Sequence, residues 1–317
     1  MTINEPQWQR IEFPANTIPR SGSSLTLNPE SGVLLLFGGV NSFAGYLDDI
    51  WVSDTSKWEI NQTPIRPLPR YGASFIWDEN HKSAILFGGM GSSGVLGDTW
   101  LFNGDKWVLQ YPLNSPSPRI NACMAYDVAR KQTILFGGKI NSGGRYMENA
   151  NDMWVWDDNN WQRLNLTILP PARSGAKLVY DRAHQNLLLF GGQSDGRLLD
   201  DTWLWNGIDW TDVENVHRPP ARDEFGLTYH DEKDQIVLFG GQTYKGMATD
   251  TWIWDGKDWT QLNTGNSPPI QVSYGAQLAY MPGVKSVVLY NAFREKRIIS
   301  DDEFTMSEHS EVWFLDY

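Results

Sequence analysis

An acidic pair, Asp223-Glu224, is the feature of this sequence best suited to acid–base chemistry. Carboxyl groups exchange protons with substrates when their surroundings bring the pKa toward neutrality. The pair interrupts a repeated pattern, because the other repeats have Ser-Gly, Tyr-Gly, Ile-Asn or Val-Ser there. Successive strand residues face opposite ways, so we expect only one carboxylate to face a ligand. If the protein is an enzyme, Glu224 or Asp223 is the predicted acid or base, with Tyr71 or Arg294 positioning the substrate; Lys139 and Arg294 are candidate counter-charges. The alternative is a solvated charge at a rim.

Other catalytic chemistries have little support in the sequence. It contains five histidines, and no Ser-His-Asp arrangement can be argued from their positions. The segment Glu308-His309-Ser310-Glu311 matches no standard metal-site spacing. The single cysteine, Cys123, cannot form an internal disulfide and lies in a strand pattern, which predicts a buried, inert thiol. We therefore predict no metal and no cofactor.

The candidate residues lie in a sequence repeat, and the strands that this repeat predicts must position them. A hydrophobic run ending in Phe-Gly-Gly occurs at 34–39, 84–89, 133–138, 187–192 and 236–241, with a decayed copy, VVLYNA, at 287–292. The spacing is close to 50 residues throughout. A period of this length indicates a repeat architecture, in which single units cannot bury their apolar faces alone.

Each repeat contains four predicted strands, a to d. Strand a follows a Pro-Arg or Ala-Arg signal, strand b is the run into Gly-Gly, strand c carries a Trp after an acidic residue, and strand d opens on another Trp. Asn-Gly and Asp-Gly between c and d are strong hairpin signals, and no stretch shows helical periodicity. We predict an all-β, six-bladed propeller of four-stranded antiparallel blades.

The predicted domain is a single propeller over residues 1–317. Its repeats are approximately 19–63, 69–112, 118–165, 172–214, 221–264 and 271–317. The last repeat lacks a strand d, whereas the N-terminal segment QWQRIEF has the pattern of one. We therefore predict that residues 7–13 form the outer strand of the last blade, beside strand c at 311–316, which pairs edges that would otherwise be open.

A strand ending in Gly-Gly, an Arg before the preceding strand, and aromatic residues in strands c and d together resemble the kelch repeat. The resemblance covers essentially the whole chain, and Pro-x-x-Arg, LFGG and DTW resemble bacterial kelch proteins in particular. The sixth repeat departs from the pattern, since it has lost the Arg and the Gly-Gly. The family implies a propeller but no single activity, because kelch propellers serve as protein-binding adaptors, specifier proteins and enzymes.

The repeated residues have structural interpretations. We expect the five arginines to bond carbonyl groups of neighbouring blades, the Gly-Gly pairs to permit positive φ and close approach beneath an aromatic ring, and the acidic residue before each strand-c Trp to cap its loop through backbone N–H groups. The arginines are Arg20, Arg70, Arg119, Arg173 and Arg222, and the aspartates are Asp49, Asp98, Asp152, Asp201 and Asp250.

Function is predicted on the face that carries the b–c and d–a connections, because loop length varies most there. The segments Lys139–Asn151 and Arg294–Ser310 are its distinctive loops. In kelch adaptors, the residues that contact ligands lie just after Gly-Gly and at the start of strand a. Transferred by position, the resemblance implies a ligand-binding set of Tyr71, Asn121, Lys139, Gln193, Asp223, Glu224, Gln242, Phe293 and Arg294.

The composition of the chain limits the classes of partner that we expect it to bind. The net charge of −12 argues against nucleic acid and anionic membranes, which need a positive patch. The start of the chain has no signal-peptide pattern, and no apolar run is long enough to span a bilayer. We expect a monomeric, cytoplasmic, non-catalytic scaffold that binds a protein or peptide through the b–c/d–a face. The alternatives are an enzyme acting on a carbohydrate or small polar metabolite in the central pocket of that face, and a subunit whose aromatic rim serves assembly.

Overall fold

The structure is a computed structural model that describes residues 5–11, 18–54, 56–144, 146–269, 275–300 and 303–317. The side chains of residues 293–308 lie outside this description. The protein is all-β, as predicted: every regular element in the described ranges is a strand. Those ranges contain no helix long and apolar enough to cross a membrane.

In the described part of the chain, the strands assemble into six four-stranded antiparallel sheets, each with strand a innermost and strand d outermost. Strand β1 is Gln7–Ile11. Sheet 1 and its connections contain β2 (Ser24–Asn28), β3 (Val33–Phe37), β4 (Val40–Asn41), β5 (Gly45–Tyr46), β6 (Ile50–Ser53) and β7 (Trp58–Asn61). Sheet 2 and its connections contain β8 (Ser74–Asp78), β9 (Ser83–Phe87), β10 (Met90–Gly91), β11 (Gly94–Val95), β12 (Thr99–Phe102) and β13 (Trp107–Gln110).

The third and fourth sheets repeat this order. Sheet 3 and its connections contain β14 (Arg119–Ile120), β15 (Cys123–Asp127), β16 (Gln132–Phe136), β17 (Lys139–Ile140), β18 (Glu148–Asn149), β19 (Met153–Asp157) and β20 (Asn160–Leu164). Sheet 4 and its connections contain β21 (Lys177–Asp181), β22 (Asn186–Phe190), β23 (Gln193–Ser194), β24 (Arg197–Leu198), β25 (Thr202–Trp205) and β26 (Trp210–Val213).

The last two sheets end the chain. Sheet 5 and its connections contain β27 (Arg222–Asp223), β28 (Gly226–His230), β29 (Gln235–Phe239), β30 (Gln242–Thr243), β31 (Gly246–Met247), β32 (Thr251–Trp254) and β33 (Trp259–Leu262). Sheet 6 contains β34 (Gln277–Met281), β35 (Ser286–Ser300), β36 (Glu303–Asp316) and β1. Strand β1 pairs antiparallel with the end of β36, with Trp8 opposite Leu315, whereas positions 12 and 13 of the predicted strand lie outside the described residues.

The core lies between neighbouring sheets rather than within one. The inner strands β2, β8, β15, β21, β28 and β34 contact one another in that order, and β34 also contacts β2. The b strands are almost completely buried because both of their faces are covered. Indole N–H groups of strand d reach the adjoining sheet, as in the 2.9 Å bond from Trp161 Nε1 to Thr99 Oγ1 and the 3.1 Å bond from Trp8 Nε1 to Thr251 Oγ1.

The repeated Arg residues are structural, but their partners differ from those expected. Each guanidinium forms a two-pronged ion pair, at 2.5 to 2.9 Å, with the Asp that precedes strand c of its own sheet. It also donates to the carbonyl of the first glycine of its Gly-Gly pair. The prediction that these aspartates cap loops through backbone N–H groups was therefore wrong, because their oxygens are held by Arg and by the indole N–H of the strand-c Trp.

The Gly-Gly pairs bring neighbouring sheets together through backbone atoms. Both glycines have positive φ, near 62° and 104° in the first pair. A Cβ on Gly38 would lie 2.7 Å from the carbonyl oxygen of Arg70 in the next sheet, and the N–H of Gly39 donates to that oxygen at 2.8 Å. In the first pair the close approach is thus to a backbone carbonyl of the next sheet, whereas at Gly191 the ring of Phe225 also lies 3.0 Å from the Cβ position, as expected. The backbone bonds join neighbouring sheets, which is the role that the arginines were expected to have.

The b–c connections are more ordered than predicted. In sheets 1 to 5 the residue after Gly-Gly pairs with the residue after the repeated Arg. These pairs are Ser21 with Val40, Tyr71 with Met90, Ile120 with Lys139, Ser174 with Gln193, and Asp223 with Gln242. The segment Lys139–Asn151, predicted to be a loop, therefore contains β17 and β18.

The predicted loop Arg294–Ser310 is instead a β-hairpin. Strand β35 continues to Ser300, and its register places Phe293 opposite His309 and Arg294 opposite Glu308. The physical reason is the loss of Gly-Gly in this repeat. Without the two positive-φ glycines that end strand b elsewhere, the backbone at Asn291 and Ala292 stays extended and the pairing with strand c continues.

Candidate functional site

A cavity of about 670 Å³ is lined by the inner strands of the six sheets. Its lining at the b–c/d–a end includes the residues that follow the repeated Arg, among them Ser21, Tyr71, Asn121 and Glu224. At the other end it is lined by residues of the a–b turns, such as Arg182. This is the volume range of small-molecule sites.

A left-handed bend before each inner strand aims residues into this cavity. Glycine occupies it in four sheets, with φ of 60° at Gly22, 64° at Gly72, 70° at Gly175 and 96° at Gly275. In the other two sheets the bend is made by Asn121 and Glu224, each with φ of 56°. Asn tolerates this conformation better than most residues, whereas Glu is a costly choice there. The backbone of Glu224 is therefore strained at the position from which its carboxylate enters the cavity.

This bend overturns one expectation from the sequence. Asp223 and Glu224 were expected to face opposite ways because they were placed in a continuous strand. Strand β27 ends at Asp223, and the left-handed Glu224 turns the chain so that both residues line the same cavity. The structure also corrects the alignment of sheet 6. Gln277 and Gly226 both begin an inner strand, so the residue of sheet 6 that corresponds to Glu224 is Gly275. The pair that corresponds to Asp223-Glu224 is therefore not Val-Ser.

Among the carboxylates that line the cavity, Glu224 is the one whose charge has no bonding partner in the described part of the chain. Its side chain is exposed toward the cavity and forms no hydrogen bond or ion pair with any residue in the described part of the chain. Burial by the surrounding protein and the neighbouring charge of Asp223 raise its pKa to about 7, although the charge of Lys177 opposes this. A carboxyl group that titrates near neutrality can donate or accept a proton at physiological pH.

Asp223 is buried and held in place. Gln193 Nε2 donates to Asp223 Oδ2 at 3.0 Å, which joins sheet 4 to sheet 5 across the cavity wall. Burial raises the pKa of Asp223, while the hydrogen bond from Gln193 and the charge of Lys139 lower it in part. Lys139 is thus near enough to act as the counter-charge that the sequence suggested.

Lys177, the first residue of β21, is a cavity residue that the sequence reasoning missed. Burial lowers the pKa of its ammonium group, and the charge of Glu224 works in the opposite direction. The sequence contains a signal that could have identified Lys177, because the first residues of the other inner strands carry no charge. They are Ser24, Ser74, Cys123, Gly226 and Gln277.

The other predicted ligand residues divide into three groups. Tyr71, Asn121 and Gln193 line the cavity with the acidic pair, and the Tyr71 ring stacks on Tyr46 with centroids 5.8 Å apart and planes 5° apart. Lys139 and Gln242 are in the short strands beside the cavity rather than in its lining. Phe293 and Arg294 are in β35, and their side chains lie outside the described part of the structure.

The far end of the cavity is lined by tyrosines and by an ion-pair network that joins three sheets. The last residue but one of four successive inner strands is a buried tyrosine, and burial raises the pKa of each phenol, so all four stay protonated. They are Tyr126, Tyr180, Tyr229 and Tyr280. Arg182 of sheet 4 contacts Glu79 of sheet 2 at 2.6 Å and Asp231 of sheet 5 at 3.2 Å. These contacts lie at the end of the cavity opposite the b–c/d–a face.

The contacts of Glu311 and Cys123, two residues that the sequence analysis considered for metal binding or thiol chemistry, are structural. Glu311 occupies the place of the repeated Asp, and it pairs with Arg10 at 3.0 Å and accepts from Trp313 Nε1 at 3.0 Å. Strand β1 thus supplies an arginine in the sheet whose repeat has lost its own. Cys123 is 5% exposed, and burial raises its pKa to about 12, as expected of an unreactive thiol. Over the described ranges, no three His, Cys, Asp or Glu side chains are grouped as metal ligands.

Comparison with known proteins agrees with this architecture. The family model described as KLHDC2/KLHL20/DRC7 Kelch-repeats domain matches residues 1–157 and 121–315. The chain belongs to the Kelch-repeat family. The solved structure of YjhT superposes with a TM-score of 0.67, covering 93% of this chain and 99% of that chain at 15% sequence identity. At that identity the similarity is one of fold. No curated protein matches the sequence.

Proposed function

We propose that this protein binds a small polar metabolite in the cavity that the inner strands line and that Glu224 exchanges a proton with it. The observation that carries the proposal is the carboxyl group of Glu224, which faces the cavity from a left-handed bend, has no bonding partner among the described residues, and has a pKa raised to about 7. Perturbed carboxylates without a structural partner are typical of catalytic sites.

The cavity also indicates the class of ligand. Six sheets arranged as the blades of a closed propeller, the last completed by β1, would give it a rigid wall. Its b–c/d–a end offers a carboxyl group, an amide, an amine and a phenol, from Glu224, Asn121, Lys177 and Tyr71. Such a set suits a compact molecule with several hydroxyl or carbonyl groups, of the size of a carbohydrate or similar metabolite.

The neighbours of Glu224 have distinct roles in this proposal. The charge of Asp223 favours the protonated form of Glu224, and the bond from Gln193 holds Asp223 in position. Lys177 favours the ionised form. The two opposing influences keep Glu224 able to act as an acid or a base near neutral pH.

The test is capture of a ligand followed by location of its site. Purified protein incubated with a fractionated metabolite extract is expected to retain a small molecule, which native mass spectrometry would detect. Hydrogen–deuterium exchange should then show protection at the starts of the inner strands. A Glu214→Gln variant, exposed on the same face, should behave as wild type, whereas Asp223→Asn/Glu224→Gln should alter retention. Absence of any retained molecule, or protection restricted to the outer loops, would contradict the proposal.

A second candidate, a scaffold that binds a protein or peptide, is favoured by the distribution of exposed apolar residues. Of the fourteen large hydrophobic residues exposed in the described part of the chain, ten lie in b–c or d–a connections. They are Ile18, Phe43, Ile65, Leu68, Tyr111, Leu113, Tyr146, Ile168, Val216 and Tyr244. Apolar side chains concentrated on one face are typical of an interaction surface.

The scaffold candidate predicts a partner that depends on this rim. Affinity capture with Tyr111→Ser/Leu113→Ser is expected to lose the partner, because these two side chains are 86% and 96% exposed and contribute binding area without supporting the core. Ile208→Ser is the matched control, since Ile208 is 72% exposed but lies in a c–d turn on the opposite face. Equal capture by both variants would contradict a rim-mediated scaffold.

A further inference from the structure

Lys177 has surroundings that differ from those of the five repeated arginines. The five repeated arginines are each enclosed by an Asp and backbone carbonyls. The ammonium group of Lys177 has neither a hydrogen bond nor an ion pair with any residue that the structure describes, although the residue is half-buried in the cavity wall. A desolvated cation without a partner is costly, which points to a role other than stability.

Two roles are open to an unpaired lysine in a cavity: to attract an anion or to react as an amine. Asp223 and Glu224 line the same end of the cavity, and their charges would repel a bound anion. The same arrangement suits an amine, because burial favours the neutral, nucleophilic form of lysine and Glu224 provides a nearby acid. The placement therefore favours reaction with a neutral electrophile.

We propose that Lys177 forms a Schiff base with an aldehyde or ketone group of the ligand. This inference rests on the proposed function and narrows its substrate class to carbonyl compounds. The neutral Nζ adds to the carbonyl carbon while the π electron pair of C=O moves to the oxygen, and the oxygen takes the proton that the nitrogen loses, which gives a neutral carbinolamine. The C–O bond then breaks, the hydroxyl leaves as water with a proton from Glu224, and the nitrogen lone pair forms the C=N bond. Water then adds to the iminium carbon, a proton returns to Glu224, and reversal of the remaining steps releases the carbonyl compound and the free amine.

Reductive trapping with small carbonyl probes tests this inference. The protein would be incubated separately with glycolaldehyde and hydroxyacetone in the presence of cyanoborohydride, which reduces the iminium ion to a stable amine. Peptide mass mapping is expected to show modification of Lys177 at least about tenfold faster than of any other lysine, because surface lysines are almost fully protonated near neutral pH. Glu224→Gln should slow the labelling of Lys177.

Matched variants separate reactivity from charge. Lys177→Arg keeps a cation in the cavity and should lose the fast label, whereas Lys106→Arg, exposed in a c–d turn away from the cavity lining, should keep it. Labelling spread evenly over the lysines of the wild-type protein would overturn the inference without use of any variant. Captured metabolite turned over by Lys177→Arg at the wild-type rate would overturn it and leave the proposed function intact. Selective labelling of Lys177 without ligand retention would support the amine and contradict the proposed function.

Discussion

Replacing Asp152 by Asn is expected to lower the free energy of unfolding by about 3–5 kcal/mol. The partner, Arg119, is fully buried and cannot lose its proton, so the substitution leaves a buried charge without its counter-ion. Its remaining hydrogen bonds go to the carbonyls of Gly137 at 2.9 Å and Ser117 at 3.0 Å and to the Ser117 hydroxyl at 3.1 Å, and these neutral groups compensate the charge only in part. Urea denaturation followed by Trp fluorescence measures the change.

The pH dependence of stability provides a second measurement on the same pair. Burial alone would raise the pKa of Asp152, but the hydrogen bonds and charge of Arg119 outweigh it and lower the pKa. A carboxyl group with a lowered pKa in the folded state stabilises the protein above its unfolded pKa, and this contribution disappears as pH falls through the folded value. Asp152→Asn should therefore differ most from wild type at neutral pH and approach it in acid, below about pH 4.

Two controls make this prediction specific. Asp105→Asn, in an exposed c–d turn, should change stability by less than about 0.5 kcal/mol. The double variant Arg119→Met/Asp152→Asn should be less destabilised than the sum of the single changes, because removing both charges leaves none uncompensated. A cost below about 1 kcal/mol for Asp152→Asn would show that the ion pair is not a structural element of the sheet.

Most of the fold could be predicted because the repeat presents the same signals several times. The spacing of Gly-Gly, the Asn-Gly turns and the paired Trp residues of strand c, such as Trp203 and Trp205, indicate four strands per repeat without tertiary information. The partners of Arg119 could not be predicted in this way. Its Asp lies 33 residues away, and only the folding of strands a, b and c into one sheet brings the two together.

The site was less predictable because it depends on the conformation of single residues. Sequence alternation assigned Asp223 and Glu224 to opposite faces, whereas one left-handed residue places both in the cavity. Lys177 was overlooked because it was treated as a member of strand a rather than as a departure from its neighbours. The long hairpin of sheet 6 shows the same limitation, since the loss of Gly-Gly continues a strand where the repeat predicts a loop.

Glu224→Gln is the substitution for which we expect the largest functional effect. If Glu224 exchanges a proton with the ligand, turnover of the captured metabolite should fall by about 100-fold to 10,000-fold, because Gln has the same shape but cannot transfer a proton. Asp223→Asn should instead shift the pH profile of turnover toward lower pH, since the charge of Asp223 contributes to the raised pKa of Glu224. Glu214→Gln, exposed on the same face, should retain full activity.

The same substitution is expected to stabilise the protein in alkaline buffer. The pKa of Glu224 is raised from 4.5 to about 7, so its ionisation between those values costs folding free energy, and an uncharged Gln avoids that cost. Because the side chain remains exposed to water in the cavity, solvent screening reduces the expected gain to about 1 kcal/mol at pH 8. At pH 4 the gain should vanish, because Glu224 is then mostly protonated in both states. Lower activity together with higher stability at pH 8 is the signature of a residue kept for function; unchanged turnover, or equal stability of the two proteins at both pH values, would contradict this role for Glu224.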